Sequence, residues 1–240
     1  MTDEEINCLN EKIYEYIYLD KPVQYILGYS YFYGMKFNVT KDTLIPRFDT
    51  ERVLEEALDV INNYIKEKSL NKIDIVDIGT GSGIIAITLK KYLGNKANVD
   101  AIDISQKALE VSKTNAILNN VEVNFIENDL LSSINKKYDV IISNPPYIDK
   151  NELELSLMGS DVKKYEPALA LYASDKGMHF YIEILKQSFN NLKKNGIIIF
   201  EIGYNQEYLM KDLVMKYYPN SKHYCLKDYN NNPRVYVIIN

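Results

Sequence analysis

Tryptophan is absent from this chain of 240 residues, and cysteine and histidine occur only twice each. Cys8 and Cys225 share no metal-like spacing and cannot form a disulfide framework, so both are expected to be reduced thiols. His179 and His223 are isolated and read as structural or surface residues, so no metal site is expected. No apolar run reaches membrane-spanning length. The charged start Met1-Thr2-Asp3-Glu4-Glu5 is not a signal peptide. These absences predict a cytoplasmic protein with no membrane partner. A basic excess is missing too: 28 Lys and Arg face 33 Asp and Glu, for a formal net charge of −5. That balance gives no global attraction to nucleic acid, and no direct nucleic-acid partner is expected.

What is present is an alternation of short apolar runs and helical periods. The length suits one large domain plus a small appendage. Residues 1–20 carry Ile6, Leu9, Ile13 and Ile17 at helical spacing, which predicts one amphipathic helix. Residues 29–39 are aromatic and β-branched around Gly34, the pattern of a β-hairpin. After the loop Leu44-Ile45-Pro46-Arg47, Asp49 or Thr50 is expected to cap a helix running to about residue 66. Strands are predicted at 73–78, 98–103, 121–126, 139–143 and 196–202, separated by helices. Such alternation gives a parallel sheet in an α/β fold. Residues 148–174 show few strong periods. Residues 223–228 and 234–239 are expected to pair antiparallel across Asn230-Asn231-Asn232-Pro233.

Three strand ends carry the chemistry. Asn144-Pro145-Pro146-Tyr147 follows the apolar run Asp139–Ser143, where α/β sheets bind ligands. Each proline fixes φ and pushes its predecessor into an extended conformation, so the segment is stiff with its carbonyls aimed. With the Asn144 amide oxygen and the Tyr147 ring, it could grip a planar –NH2 group; a plain strand-ending turn is the other account. Gly79-Thr80-Gly81-Ser82-Gly83 follows the first sheet strand. It lacks the dinucleotide fingerprint, because position 84 is Ile, and it lacks the Lys-Ser/Thr pair of a phosphate loop. A glycine turn of this kind suits a nucleoside-like ligand such as S-adenosylmethionine. Asp103, about 20 residues on, is placed to accept from ribose hydroxyls, or else is a solvated loop acid. Ser105 behind it reads as a helix N-cap. Asp129 could accept from an adenine amine, or simply open a helical turn.

Further stretches add specificity: Pro22-Val23-Gln24-Tyr25-Ile26-Leu27-Gly28, Phe32-Tyr33-Gly34, Ile45-Pro46-Arg47-Phe48-Asp49-Thr50-Glu51, Tyr165-Glu166-Pro167, Glu201-Ile202-Gly203 and Pro233-Arg234-Val235. With the Asn-Pro-Pro-Tyr segment, these resemble the peptide chain release factor glutamine methyltransferases, the PrmC/HemK family, from about Lys21 to the C-terminus. The resemblance implies a class I S-adenosylmethionine-dependent methyltransferase: a Rossmann-like seven-stranded sheet, here behind a short N-terminal helix and β-hairpin. The expected division is an appendage at 1–43 and a methyltransferase domain at 44–240. It implies that Gly79, Thr80, Gly81, Ser82, Gly83, Asp103 and Leu130 contact the cofactor, and Asp129 and Asn144 are expected beside them. Asn144, Pro145, Pro146 and Tyr147 would grip the substrate. The implied partners are peptide chain release factors, the product cofactor is S-adenosylhomocysteine, and a monomer is expected. Two features depart from the family. Phe48 stands where members usually carry Pro. Only about one helix precedes Lys21, so docking of the release factor is expected to be weaker.

The chemistry suits such a motif. A carboxamide nitrogen is a poor nucleophile and a sulfonium methyl a strong electrophile, so the task is mainly positioning. The Asn144 oxygen and the Pro145 carbonyl would accept the two N–H groups, with Tyr147 packed on the amide plane. The alternative enzyme is an adenine-amino methyltransferase acting on DNA or rRNA. It would use the same grip but must extract its base from a stack. A non-catalytic cofactor-binding protein is a third account, against which the intact Asn144 counts.

Overall fold

A computed structural model describes residues 1–150 and 159–240. The first helix, α1 (Asp3–Leu19), starts at a capping box: the Thr2 hydroxyl accepts from Glu5 N, and the Glu5 carboxylate accepts from Thr2 N. None of its residues is buried, so the stripe of Ile6, Leu9, Ile13 and Ile17 stays exposed. The stretch beginning Pro22-Val23, which carried no structural expectation, forms a short helix, α2 (Val23–Leu27). The hairpin then forms as expected, with β1 (Tyr29–Phe32) antiparallel to β2 (Met35–Asn38). Its two-residue turn places Tyr33 and Gly34 at φ 50° and 72°, the sign that two-residue hairpin turns require. Phe32 and Phe37 join the main core.

The sheet comprises β3 (Ile73–Ile78), β4 (Ala97–Asp103), β5 (Asn124–Glu127), β6 (Tyr138–Ser143), β9 (Leu192–Glu201), β10 (Lys222–Lys227) and β11 (Pro233–Ile239). Its order is β10-β11-β9-β6-β3-β4-β5, with β11 antiparallel to both neighbours and the remaining pairs parallel. Both faces are buried, as parallel sheets require. Alternation along β9 shows it: Ile197 and Ile199 pack with helix α3 (Phe48–Glu67) and helix α4 (Ile84–Leu93), while Ile198 and Phe200 meet Tyr181, Leu185 and Met210 on the other side.

Several boundaries differ from expectation, among them β9, expected from residue 196 but starting at Leu192. Helix α3 starts at Phe48 and has Arg47 at its N-cap, with no side-chain cap; Asp49 and Thr50 have other partners, described below. The strand expected from Val121 starts at Asn124. Helix α5 (Gln106–Leu118) closes with Asn120 at φ 54°, its N–H donating to Ile117 O, and Val121 N donating to Ala116 O. That closure commits Val121 to the helix end. Within 148–174, β7 (Ile148–Asp149) pairs in parallel with β8 (Tyr172–Ala173), and short helices span Ser160–Tyr165 and Ala168–Leu171. The part of that stretch at 151–158 lies outside the described residues. Among the described residues, no helix is long and apolar enough to cross a membrane.

Candidate active site

Strands β3, β4, β5 and β6 end side by side, and the strand order reverses between β3 and β6. A cavity of about 240 Å³ lies at that switch point, outside the carboxyl ends of the strands. Gly79 to Ser82, Asp103, Asp129, Leu130, Asn144, Pro145 and Pro146 all line it.

The glycine turn is fastened to β4: Gly79 N and Thr80 N both donate to Ile102 O, at 2.8 and 2.9 Å. Gly79 and Gly81 have φ of 70° and 55°, and a Cβ on either would meet nothing within 4 Å. Glycine is needed there for the left-handed backbone, and it leaves the cavity side of the loop bare. Gly83 does something else. It is not on the cavity wall, and a Cβ there would lie 2.8 Å from Ile87 Cδ1 and 3.0 Å from Ser112 Cβ. Its missing side chain allows the close approach of α4 and α5.

Two carboxylates brace this turn. Asp77 is buried in β3, and its Oδ2 accepts from Thr80 Oγ1 at 2.6 Å and Ala86 N at 3.2 Å. Burial outweighs those bonds and pushes its pKa up to about 7, with Asp103 nearby adding to the rise. Asp103 accepts from Gly81 N and Ser105 N, each at 2.9 Å. Burial raises its pKa, and these backbone bonds oppose the rise. A carboxylate offers about four acceptor sites, so Asp103 keeps capacity for a ligand while it holds the loop. Ser105 caps α5, its Oγ accepting from Ala108 N at 3.2 Å. Asp129 is exposed at the rim, and Leu130 has a left-handed backbone with φ 50°.

The Asn-Pro-Pro-Tyr segment divides. Asn144, Pro145 and Pro146 face the cavity, whereas Tyr147 is not among the lining residues. A Cβ placed on Gly203 would lie 3.4 Å from Tyr147 Cδ2. The Tyr147 hydroxyl lies 3.5 Å from Arg234 Nη1, and Gln206 Nε2 donates to its carbonyl at 3.0 Å. These contacts anchor the far end of the segment.

Behind Asn144 lie Thr50, expected only as a helix cap, and Glu201, which carried no expected role. Asn144 Nδ2 donates to Thr50 Oγ1 at 3.4 Å, and Thr50 Oγ1 donates to Glu201 Oε2 at 2.7 Å. Glu201 is fully buried, and burial pushes its pKa up to about 7 against the Thr50 hydrogen bond and the Arg234 charge. Arg234 pairs with Asp228 at 3.2 Å and Asp49 at 3.3 Å. The available signal was an acid directly after the buried run Ile197-Ile198-Ile199-Phe200. Across the cavity, Glu166 accepts from Ile45 N at 3.2 Å and from Arg47 Nη2, joining the Ile-Pro-Arg and Tyr-Glu-Pro stretches as one wall. The histidines lie elsewhere: His223 Nδ1 bonds the Tyr236 hydroxyl at 2.8 Å, and His179 Nδ1 lies 3.5 Å from Asp175.

Residues 51–171 match the family model described as methyltransferase small domain. Among solved structures, ribosomal protein L11 methylase from Lactobacillus delbrueckii subsp. bulgaricus has a TM-score of 0.56 at 21% identity, covering 83% of this chain and 82% of its own. The hMettl16 catalytic domain in complex with a MAT2A 3′UTR hairpin has a TM-score of 0.63 at 17% identity, covering 86% and 76%. These two share the fold. Curated relatives are much nearer in sequence, and three are named release factor glutamine methyltransferase. The protein from Flavobacterium psychrophilum is 45% identical over 81% of this chain and 66% of its own length. That from Fusobacterium nucleatum is 42% identical over 98% and 64%. That from Streptococcus pneumoniae is 37% identical over 99% and 82%. The chain thus spans slightly under two thirds of the first two relatives and more of the third. With a methyltransferase sheet, a ligand cavity at its switch point and this degree of likeness, the chain belongs to the release factor glutamine methyltransferase family.

Proposed function

We propose that this protein transfers a methyl group from S-adenosylmethionine to the side-chain amide nitrogen of the glutamine in the Gly-Gly-Gln motif of peptide chain release factors. The observation that carries this is the placement of Asn144 and Pro145 in the same cavity as the bare glycine turn and Asp103. Family membership supplies the identity of the acceptor.

The lining fits the cofactor. Asp103 and Asp129 offer acceptors for ribose hydroxyls and an exocyclic amine, and Leu130 adds apolar contact. The open side of Gly79 and Gly81 admits close backbone approach. Acidic rather than basic groups around the turn suit a nucleoside better than a polyphosphate. When bound, S-adenosylmethionine supplies an electrophilic methyl group on a sulfonium and is left as S-adenosylhomocysteine.

The chain's own residues hold the acceptor. The Asn144 Oδ1 and the Pro145 carbonyl accept the two amide N–H groups and point the nitrogen lone pair into the cavity. As the N–CH3 bond forms and the S–CH3 bond breaks, positive charge develops on nitrogen and both acceptors strengthen, which favours the transition state over the ground state; one N–H proton then leaves to water. Pro146 stiffens the segment, and Tyr147 fixes its far end. The wall joined by Glu166 limits access to a slim loop, and glycines flanking the target glutamine give such a loop.

Labelled cofactor, a purified release factor, duplex DNA and rRNA provide the test. One added methyl on the Gly-Gly-Gln glutamine is expected by mass spectrometry, and none when that glutamine is replaced by alanine. Methylated adenine with the release factor untouched would move the assignment to an adenine-amino methyltransferase.

A further inference from the structure

Primary amides have two nearly isosteric ends with opposite hydrogen-bonding character: an oxygen that accepts and an NH2 that donates. A grip on an acceptor –NH2 works only if Asn144 offers its oxygen. Turned over, it would present N–H to N–H. Nothing in the Asn-Pro-Pro-Tyr segment itself chooses between the two orientations, so the choice is made elsewhere.

Behind Asn144 the hydrogen bonds run one way. Ionised Glu201 can only accept. Thr50 Oγ1 gives its single proton to Glu201 Oε2 at 2.7 Å, and this leaves Thr50 a lone-pair acceptor toward Asn144 Nδ2 at 3.4 Å. The Asn144 side chain also favours the Glu201 carboxylate, as an NH2 end turned toward it does and an oxygen would not. An inverted amide would set Oδ1 against the Thr50 lone pair with the Glu201 carboxylate behind it, and with Glu201 2% and Thr50 1% exposed water could not rescue it.

We propose that Thr50 and Glu201 are positioning residues that hold the Asn144 NH2 turned toward them, so that Oδ1 is the atom offered to the acceptor nitrogen. This rests on the reading of Asn144 as the grip on an –NH2 group. It gives work to two stretches that the cofactor and substrate contacts leave without a role, the start of α3 and the end of β9.

The same chain makes the orientation depend on protonation. The charged groups facing Glu201 are Arg234 from β11 and Asp49 from α3, and Tyr147 is the further titratable neighbour. Arg234 favours the carboxylate; burial and Asp49 oppose it, and the carboxyl titrates at about 7. A protonated Glu201 becomes a donor. The Thr50 hydroxyl is then free to turn, and the inverted amide loses its penalty. Methyl transfer is expected to rise with pH as Glu201 ionises.

Two arms test this on the full chain. The first measures single-turnover methyl transfer to the release factor across about pH 5.5 to 8.5. Thr50→Val removes the relay with little change of shape, and its rate is expected to fall about 10- to 100-fold. Release-factor KM and cofactor Kd should stay within about twofold, because only orientation is lost. Thr50→Ser keeps the hydroxyl and should restore most of the rate. The parent's inflection near neutral pH should be missing in Glu201→Gln. The second arm follows the Asn144 side-chain 15N–1H2 signal by NMR over the same range, with no substrate present. It should titrate in the parent and stay flat in Glu201→Gln. A Thr50→Val rate within about twofold of the parent would overturn the assignment, as would an inflection that survives Glu201→Gln or a parent NH2 signal that does not titrate. If Thr50→Val does not fold, Glu201→Gln and the parent NMR titration decide. If the parent methylates no release factor, the acceptor assignment fails, while the NMR arm still judges the relay.

Discussion

Asn144 and Asp103 line one cavity from the ends of the two strands that flank β3, and their substitutions are expected to separate rate from affinity. Asn144→Ala removes one of two acceptors aimed at the developing charge on nitrogen. Loss of one such preorganised partner costs about 100- to 1000-fold in rate. Cofactor Kd should change little, because that partner matters most in the transition state. Single-turnover kinetics beside calorimetry make the check, and a rate within a few-fold of the parent would reduce Asn144 to a strand-ending residue. Asp103→Ala should act the other way. A charge-assisted hydrogen bond is worth about 1.5–3 kcal/mol, so cofactor affinity should weaken about 10- to 100-fold. Asp103 also accepts from Gly81 N and Ser105 N. Asp103→Asn, which keeps an acceptor for one of these amides, should therefore lose less than Asp103→Ala. Equal losses in the two variants would mean that ligand contact, and not loop bracing, is the whole of its role.

Among the elements, α4 and α5 meet at Gly83. Its left-handed backbone and the nearness of Ile87 and Ser112 leave no space for a methyl group. Gly83→Ala is expected to cost about 1–3 kcal/mol in overpacking, with backbone strain added. Urea denaturation should show the drop in the ligand-free protein, and an unchanged midpoint would mean that the two helices move apart freely. The sequence showed a third glycine at this place but not which of two reasons put it there. Local pattern carried a good deal: β3, β4 and β6 are buried on both faces and rich in Ile, Val and Ala, so they read as strands at nearly their true limits, and so did the apolar half of β9. The Ser105 cap was legible because its partner, Ala108 N, is three residues away. The start of α3 was not. Asp49 and Thr50 are good capping types, but their side chains go to Arg234 and Glu201, and the Thr50–Glu201 bond spans 151 positions. The Glu166–Ile45 bond spans 121. Both sides of each tether stood out as motifs; their meeting is a property of the sheet order, which no local period encodes.

For the whole molecule, the buried acids of the site set an expected pH dependence of stability. Asp77 and Glu201 are pushed up to about 7 from ordinary values of 3.8 and 4.5, in both cases chiefly by burial. Between those ordinary values and about 7, the folded protein holds protons that the unfolded chain has released. Stability must therefore fall as pH rises through that window. Asp74 works in the opposite sense. Its bonds with Lys193, Asn98 and Lys136 overcome desolvation and hold it at about 2, so its contribution is present above 3.8 and is lost only as pH falls toward 2. From about pH 5 upward the two site acids dominate the slope. One pKa unit corresponds to about 1.4 kcal/mol, and about 1 kcal/mol moves the melting temperature of a chain this size by about 2–4 °C. Thermal melts of the ligand-free protein should thus decline by about 10–20 °C between about pH 5 and about pH 7.5 if both acids are held protonated. General charge repulsion would tilt the curve in the same direction, so the comparison that decides is with a variant. Asp77→Asn keeps an acceptor for Thr80 Oγ1 and Ala86 N but cannot ionise, and its melting curve should be distinctly flatter than the parent's over that range. Matching slopes in the two proteins would show that Asp77 is not held protonated in the fold. The same ionisation of Glu201 that lowers stability is the one expected to raise turnover, so the pH of greatest stability should lie below the pH of greatest activity.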